Sequence, residues 1–168
     1  TRPDGTWDTV YGYRRRWVAC AGGHNDEVID HPLERAESVA DLRSYSWPTA
    51  DAFDYSTIPR QCAAVDDYAI LFLAGGLGQV ANLLGFERTL MEMALHPELV
   101  EYAYEVMTEF FAELTDRTLR AAQGRIDIIC VQDDFGTQGG KLISLEMYRR
   151  FFKPCHKRIF AVAKRHGA

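Results

Sequence analysis

Two short apolar runs, YAILFLAGG at residues 68–76 and RIDIICV at residues 125–131, constrain the fold of this chain more than any other feature. Each run is continuously apolar, which is typical of a strand covered on both faces in a parallel sheet. Helical patterns separate the two runs and follow the second one. This order of elements predicts an α/β fold built from right-handed crossovers.

The helical segments are marked by apolar periodicity and by end signals. GQVANLLG and FERTLMEMALH precede Pro97, and a long helix then runs to Gly124, a residue suited to ending it. Its predicted buried stripe recurs at steps of three and four: Leu99, Ala103, Val106, Phe110 and Leu114. Ser144 is the predicted cap of the next helix, and Pro154 opens a final helix that ends at Gly167.

The N-terminal part of the chain has a different pattern. TWDTVYGYRRRWV, residues 6–18, alternates aromatic or β-branched residues with polar ones and predicts a β-hairpin. AGGHNDEVIDHP is predicted to be a loop, and LERAESVADLRSY, residues 33–45, a helix. A helix of about ten residues is predicted from Ile58, with Pro59 in its first turn.

Composition limits the classes of protein to which the chain can belong. Its 168 residues are 47% hydrophobic and 26% charged, which fits a single globular domain over residues 1–168. The 19 Lys and Arg against 24 Asp and Glu give a net charge of -5, so we expect no nucleic-acid partner. No apolar run reaches the roughly 20 residues that span a bilayer, so we expect no membrane partner.

The cysteines and the chain ends carry two further expectations. Cys20, Cys62, Cys130 and Cys155 form no CxxC pair, so neither a zinc knuckle nor a disulfide framework is indicated, and we expect a cytoplasmic protein. The sequence begins without methionine and stops at RHGA, directly after a helical pattern. We therefore expect both ends to be truncated.

Two adjacent carboxylates, Asp133 and Asp134, follow the second apolar run and precede a glycine-rich turn. The pair would belong to an active site if this strand were part of a barrel, in which the active site lies at the carboxyl ends of the strands. Aspartate before glycine is also common turn chemistry, in which the side chain only binds the loop backbone. Both interpretations remain open at this point.

The segment DDFGTQGGKLISLEMYRRFFKPCHKRIFAVAKRHGA resembles the uroporphyrinogen decarboxylase superfamily, in which a strand and glycine loop precede an LISPEM-type helix start. WPTADAFD, AGGLGQVANLLGFERTLMEMALHPELV and TWDTVYGYRRRWV resemble upstream stretches of that superfamily in the same order. The resemblance implies a partial (β/α)8 TIM barrel with covering helices, in addition to the N-terminal hairpin. A complete barrel needs about 250 residues, so the chain would be roughly half of one.

The resemblance also implies roles for particular residues at the mouth of the barrel. Asp133 and Asp134 are the expected catalytic residues. The expected substrate-binding residues are Gly75, Gly76, Gly136 and Gln138. Gly75 and Gly76 would let the backbone approach a small-molecule ligand closely. The parent protein is therefore expected to be an enzyme, although the isolated chain, without the superfamily's N-terminal residues, is expected to be inactive.

Members of the superfamily catalyse two kinds of reaction. Some decarboxylate uroporphyrinogen without a cofactor in porphyrin metabolism. Others transfer a methyl group between a corrinoid protein and a thiol or folate, often with zinc.

Two residues of this chain differ from the pattern of the decarboxylases. The second carboxylate, Asp134, would repel a polycarboxylate substrate by about 1 kcal/mol or more per close pair of charges. Leu83 stands where a tyrosine is usual in the decarboxylases, so methyl transfer is favoured.

Other expectations follow from that choice. The five histidines, His24, His31, His96, His156 and His166, have no zinc-ligand spacing, so any zinc would be held by residues beyond Ala168. Cys130 is expected in the core and His166 at a helix C-terminus. The partner of a methyltransferase would be a corrinoid protein. Decarboxylation and a non-catalytic half-barrel that self-associates through open strand edges remain alternatives.

Overall fold

The computed structural model describes residues 1–65 and 67–168. They form two compact units, one of Thr1–Pro48 and Gly78–Ala103 and the other of Thr49–Leu77 and Tyr104–Ala168. The predicted α/β class is confirmed, because helices accompany a parallel pair of strands. The partial barrel and the single domain over residues 1–168 stay predictions.

Strands and helices follow one another along the chain in groups of one to three. In order they are β1 (Thr6–Asp8), β2 (Arg14–Cys20), β3 (Gly23–Asp30), α1 (Val39–Ser44), α2 (Ile58–Ala63), β4 (Leu71–Gly75), α3 (Gly78–Leu84), α4 (Phe86–Leu95), α5 (Pro97–Ala122), β5 (Ile128–Val131), β6 (Gly136–Thr137), β7 (Gly140–Lys141), α6 (Leu145–Met147) and α7 (Lys153–Arg165). A 3-10 turn covers Ala50–Ala52, and a π-helical turn covers Tyr148–Phe152. No helix of the described residues is long and apolar enough to span a membrane.

The first unit begins with an antiparallel sheet in the order β1-β2-β3. The predicted hairpin is confirmed by the pairing of Trp7 with Arg15. The predicted loop after it was wrong, because β3 pairs along the whole length of β2 through a turn at Gly22, whose φ is 96°. Most side chains of β3 are exposed, so no apolar alternation marks this strand in the sequence.

Local hydrogen bonds set the start of α1 later than predicted. The Ser38 side chain accepts the Asp41 amide, and the Asp41 carboxylate accepts the Ser38 amide, which forms a capping box. Residues 33–37, which were predicted to be helical, therefore lie outside α1. α2 begins at Ile58 as predicted but covers six residues instead of about ten.

One arginine fixes the segment before α1 to the α3–α4 pair. The Leu33 amide donates to the Leu83 carbonyl at 3.0 Å. The guanidinium of Arg88 donates to the carbonyls of Leu33, at 3.1 Å, and of Glu34 and Ala36. A planar guanidinium has five donors, so a single side chain can hold this irregular segment.

The second unit is built on β4 and β5, which pair in parallel with Phe72 opposite Ile129. These two side chains pack against the buried residues Leu119 and Ala163 on the helix-covered face. The other face is open. Its side chains are Leu71, Leu73 and Ile128, which are 53%, 49% and 49% exposed. The prediction of strands covered on both faces was therefore wrong for the described residues, and Cys130 on this face is half-buried instead of in the core.

The long helix α5 agrees with its predicted pattern. Leu99, Ala103 and Phe110 are buried. Val106 and Leu114 are half-buried. The helix ends just before Gly124, whose φ of 80° is the left-handed conformation expected at that position.

Pro154 lies in the first turn of the final helix, α7, as predicted, and a π-helical turn joins α7 to α6 without a break. Ser144 caps α6 by accepting the Met147 amide at 3.1 Å, as expected. The amide of Lys153 donates to the Tyr148 carbonyl five residues earlier, which is the π-helical turn. Proline has no amide hydrogen for a helical bond, and the wider turn before it lets the chain continue into α7.

Candidate active site

The candidate site lies where β5 ends beside β4. The Gln132 amide donates to the Gly75 carbonyl at 3.0 Å, which holds the end of one strand against the other. Successive side chains of an extended chain point to opposite faces. The Asp133 side chain is accordingly buried on the helix-covered side, only 4% exposed, whereas Asp134 is exposed. The two adjacent carboxylates therefore have different environments.

Asp133 is paired with a histidine from a distant part of the chain. Nε2 of His156 donates to Oδ2 of Asp133 at 2.7 Å, and the histidine side chain is only 14% exposed. A carboxylate in such a position needs a hydrogen-bonded partner to offset its lost hydration. This bond joins the end of β5 to the first turn of α7.

Aromatic rings surround the imidazole of His156. The ring centroids of Tyr148 and Phe160 lie 5.9 and 6.3 Å from it, and that of Phe135 lies 6.2 Å away. Phe135 also meets Phe152 edge to face at 4.5 Å. The sequence did carry a signal for His156, because Tyr148, Phe152, His156 and Phe160 recur at steps of four and share one helix face.

Neutral polar groups from α5 and α7 lie near the same carboxylate. Burial raises the pKa of the Tyr104 phenol, and the nearby charge of Asp133 raises it further. Burial likewise raises the pKa of the Cys155 thiol, which donates to the Phe151 carbonyl at 3.2 Å. Both groups keep their protons at neutral pH, so Cys155 is not a reactive thiolate.

Asp134 lies at the start of the glycine loop. Its Oδ1 accepts the Gly136 amide at 3.0 Å, which is the turn bond that aspartate commonly makes two residues ahead. The loop then forms a tight hairpin of β6 and β7, in which the Thr137 hydroxyl donates to the Gly140 carbonyl. Gln138 is exposed at the tip of this hairpin. The structure thus places Gly136 beside Asp134 and leaves Gln138 at the hairpin tip.

Gly75, the last residue of β4, and Gly76 directly after it are required to be glycine by packing within the protein, which was not expected. A Cβ on Gly76 would lie 1.8 Å from the carbonyl oxygen of Gln132. A Cβ on Gly75 would lie 2.2 Å from the ring of Phe111, and its φ of 101° also favours glycine. Close packing within the protein thus requires both residues to be glycine, and their contact with a substrate stays a prediction.

The described residues do not form a metal site. No three His, Cys, Asp or Glu side chains converge within residues 1–65 and 67–168. Cys155 and His156 are consecutive, but one bonds to a helix carbonyl and the other to Asp133. His166, at the end of α7 as predicted, bonds to Asp116 at 2.9 Å. These donors do not fit the three or four ligands that zinc requires.

Comparison with models of protein families gives a match over most of the chain. The family model described as Uroporphyrinogen decarboxylase (URO-D) matches residues 29–168, which includes β4, β5, the glycine loop and α7. No curated protein and no solved structure gives a significant match. The N-terminal hairpin lies outside the matched residues.

Proposed function

Because this chain belongs to the uroporphyrinogen decarboxylase family, we propose that it forms part of the active site of an enzyme that transfers a methyl group from a corrinoid to a thiol or folate. One observation carries the proposal. At the end of β5 an exposed carboxylate, Asp134, directly follows a buried one, Asp133. The exposed residue is the one available to a substrate.

The two carboxylates then have separate roles. Asp134 binds the methyl acceptor and accepts the proton that a thiol loses on methylation. Asp133 does not meet the substrate, because its side chain is buried against His156. The methyl donor is a corrinoid carried by a partner protein.

The charge at the site favours methyl transfer over uroporphyrinogen decarboxylation. A polycarboxylate substrate next to Asp134 would be repelled by about 1 kcal/mol or more per close pair of charges. A thiol or folate acceptor carries less negative charge to that position. A thiol-activating zinc, which the described residues do not fit, would need ligands from beyond Ala168.

Decarboxylation of uroporphyrinogen, or of a related carboxylated substrate, is the second candidate. It is supported by the description of the family to which the chain belongs. In this case Asp134 would have to bind a polar group of the substrate other than its carboxylates. The reaction needs no corrinoid partner.

The test is to assay both reactions with the full-length protein. Methylcobalamin demethylation in the presence of a thiol is followed by its absorbance spectrum, and uroporphyrinogen loss is followed by chromatography. We expect the first reaction only, and we expect Asp134→Ala to lose most of the turnover without a change in melting temperature.

A matched control is available in Asp4. This aspartate is also exposed and also accepts the amide two residues ahead, that of Thr6 at 3.0 Å, but it lies outside the family match. Asp4→Ala should keep full turnover. Uroporphyrinogen turnover alone would establish the second candidate, and full turnover by Asp134→Ala would refute the role of that residue.

A further inference from the structure

His156 is a residue to which the proposed function assigns no role, although it is buried beside the site. Its partner Asp133 is 23 positions earlier, at the end of a strand. Burying a histidine and a carboxylate together costs desolvation free energy, so such pairs are poor sources of stability and can instead specify one geometry. The geometry concerned here is that of the chain directly after β5.

The residue on each side of Asp134 is held against the C-terminal helical segment. On one side Asp133 bonds to His156 at 2.7 Å. On the other side Phe135 packs edge to face on Phe152, with ring centroids 4.5 Å apart, and on Tyr148 at 5.6 Å. Asp134 is thus an exposed residue between two anchored neighbours.

The backbone before Asp133 is held from the opposite direction. The Gln132 amide bonds to the Gly75 carbonyl, and its own carbonyl lies against Gly76. The chain therefore has one attachment to β4 and two to the helical segment within four residues, 132–135. Three attachments within four residues restrict the orientations that the exposed carboxylate of Asp134 can adopt.

We propose that His156 is a positioning residue, which holds Asp133 and thereby orients Asp134 and the glycine loop toward the substrate. The inference rests on the proposed function of Asp134, because orientation matters only if that carboxylate meets the substrate. Small displacements of a reacting group cost large factors in rate. His156 itself is enclosed by the aromatic rings described above and does not need to touch the substrate.

Hydrogen exchange measured by mass spectrometry on the full-length protein tests this without an assay of activity. We expect His156→Phe, which fills the aromatic enclosure but cannot donate to Asp133, to speed amide exchange in residues 134–141 at least tenfold. We expect His156→Gln, which retains a donor, to restore most of the protection. Exchange in β4 should change little in either variant.

A second variant keeps the test informative if His156→Phe does not fold. Phe135→Leu removes the ring contact on the other side of Asp134 and leaves the imidazole in place, so it should also speed exchange in residues 134–141. Unchanged exchange there in every folded variant, or equal acceleration throughout the second unit, would overturn the positioning role.

The conservative variant Asp134→Asn separates this inference from the proposed function. Its amide side chain can still accept the Gly136 amide, so we expect normal exchange but little turnover. Full turnover by Asp134→Asn would refute the proposed function and leave the exchange result standing.

Turnover assays of His156→Phe give a further readout. This variant should lower kcat at least tenfold, with little change in KM and with the same pH profile. Loss of one limb of the pH profile would instead show that His156 exchanges protons with the substrate.

Discussion

The backbone of Gly76 lies so close to Gln132 that a Cβ on Gly76 would sit 1.8 Å from the Gln132 carbonyl oxygen. No side chain can be accommodated at that distance without moving one strand end from the other. Gly76→Ala should therefore destabilise the protein by about 1–3 kcal/mol, the usual range for overpacking. The measurement is the urea dependence of unfolding.

Gly139→Ala is the matched control for that substitution. The nearest atom to a Cβ on Gly139 is the Thr137 hydroxyl oxygen at 3.9 Å, an ordinary contact. We expect its free energy of unfolding to stay within about 0.5 kcal/mol of the wild-type value. Equal stability of the two alanine variants would contradict the close approach of the strand ends.

Arg88 should contribute strongly to the stability of the first unit. Replacing it with alanine leaves the carbonyls of Leu33 and Ala36, two buried residues, without the guanidinium donor. Hydrogen bonds to charged groups contribute about 1.5–3 kcal/mol, so we expect Arg88→Ala to cost about 2 kcal/mol. Denaturant unfolding followed by tryptophan fluorescence measures the loss.

A nearby arginine serves as the control for Arg88. Arg35 is 94% exposed, and its contact with Glu34 is long, at 3.8 Å. Such a surface pair contributes between zero and about 1 kcal/mol, so Arg35→Ala should change stability little. The proposed role of Arg88 fails if both alanine variants unfold at the same urea concentration.

Asp116 should make stability depend on pH in the acidic range. The hydrogen bond from His166 lowers the pKa of this carboxyl, and the charges of Arg120 and Arg165 lower it further. A carboxyl whose pKa is lower in the folded state stabilises the fold above its unfolded pKa of about 3.9 and stops doing so as the pH falls through the folded value. Asp116→Asn should therefore be less stable than wild type at neutral pH, with the difference fading below about pH 4.

Urea unfolding at a series of pH values checks that expectation. Glu105→Gln is the control, because Glu105 is an exposed carboxylate on the same helix α5. Its stability should follow the wild-type curve across the whole range. A difference between Asp116→Asn and wild type that stays constant with pH would show that the ionised carboxylate contributes nothing.

The open face of β4 and β5 should make the 168-residue chain self-associate. Leu71, Leu73 and Ile128 are about half exposed, and within the described part of the chain these two strands pair only with each other. Unpaired strand edges beside apolar side chains favour association. We expect sedimentation velocity to show species larger than a monomer.

The double variant Leu71→Thr/Leu73→Thr tests which surface is responsible. Threonine retains the preference for strands while removing much of the apolar area, so the variant should shift toward the monomer. Leu95→Thr, a change at a 62% exposed leucine on α4, should leave association unchanged. A monomeric wild-type chain with a sharp thermal transition would instead favour a self-sufficient module.

Features that depend on neighbours in sequence were predictable from the sequence. Gly124 follows the end of α5, and Ser144 caps the next helix, because each acts on backbone groups within a few residues. The apolar stripe of α5 was also predicted, from its periodicity, and the two strands of the parallel pair from their continuous apolar runs. The strand β3 was missed, since its exposed side chains leave no apolar pattern.

Other features were decided only by tertiary structure. The sequence placed Asp133 and Asp134 together at a strand end but could not distinguish their environments. Packing of α7 against β5 buries Asp133 on His156, 23 residues later, and leaves its neighbour exposed. The close contact of Gly76 with Gln132 likewise joins residues more than fifty positions apart. Local sequence determines which helices and strands can form, whereas the burial of a charged group depends on what the rest of the chain brings beside it.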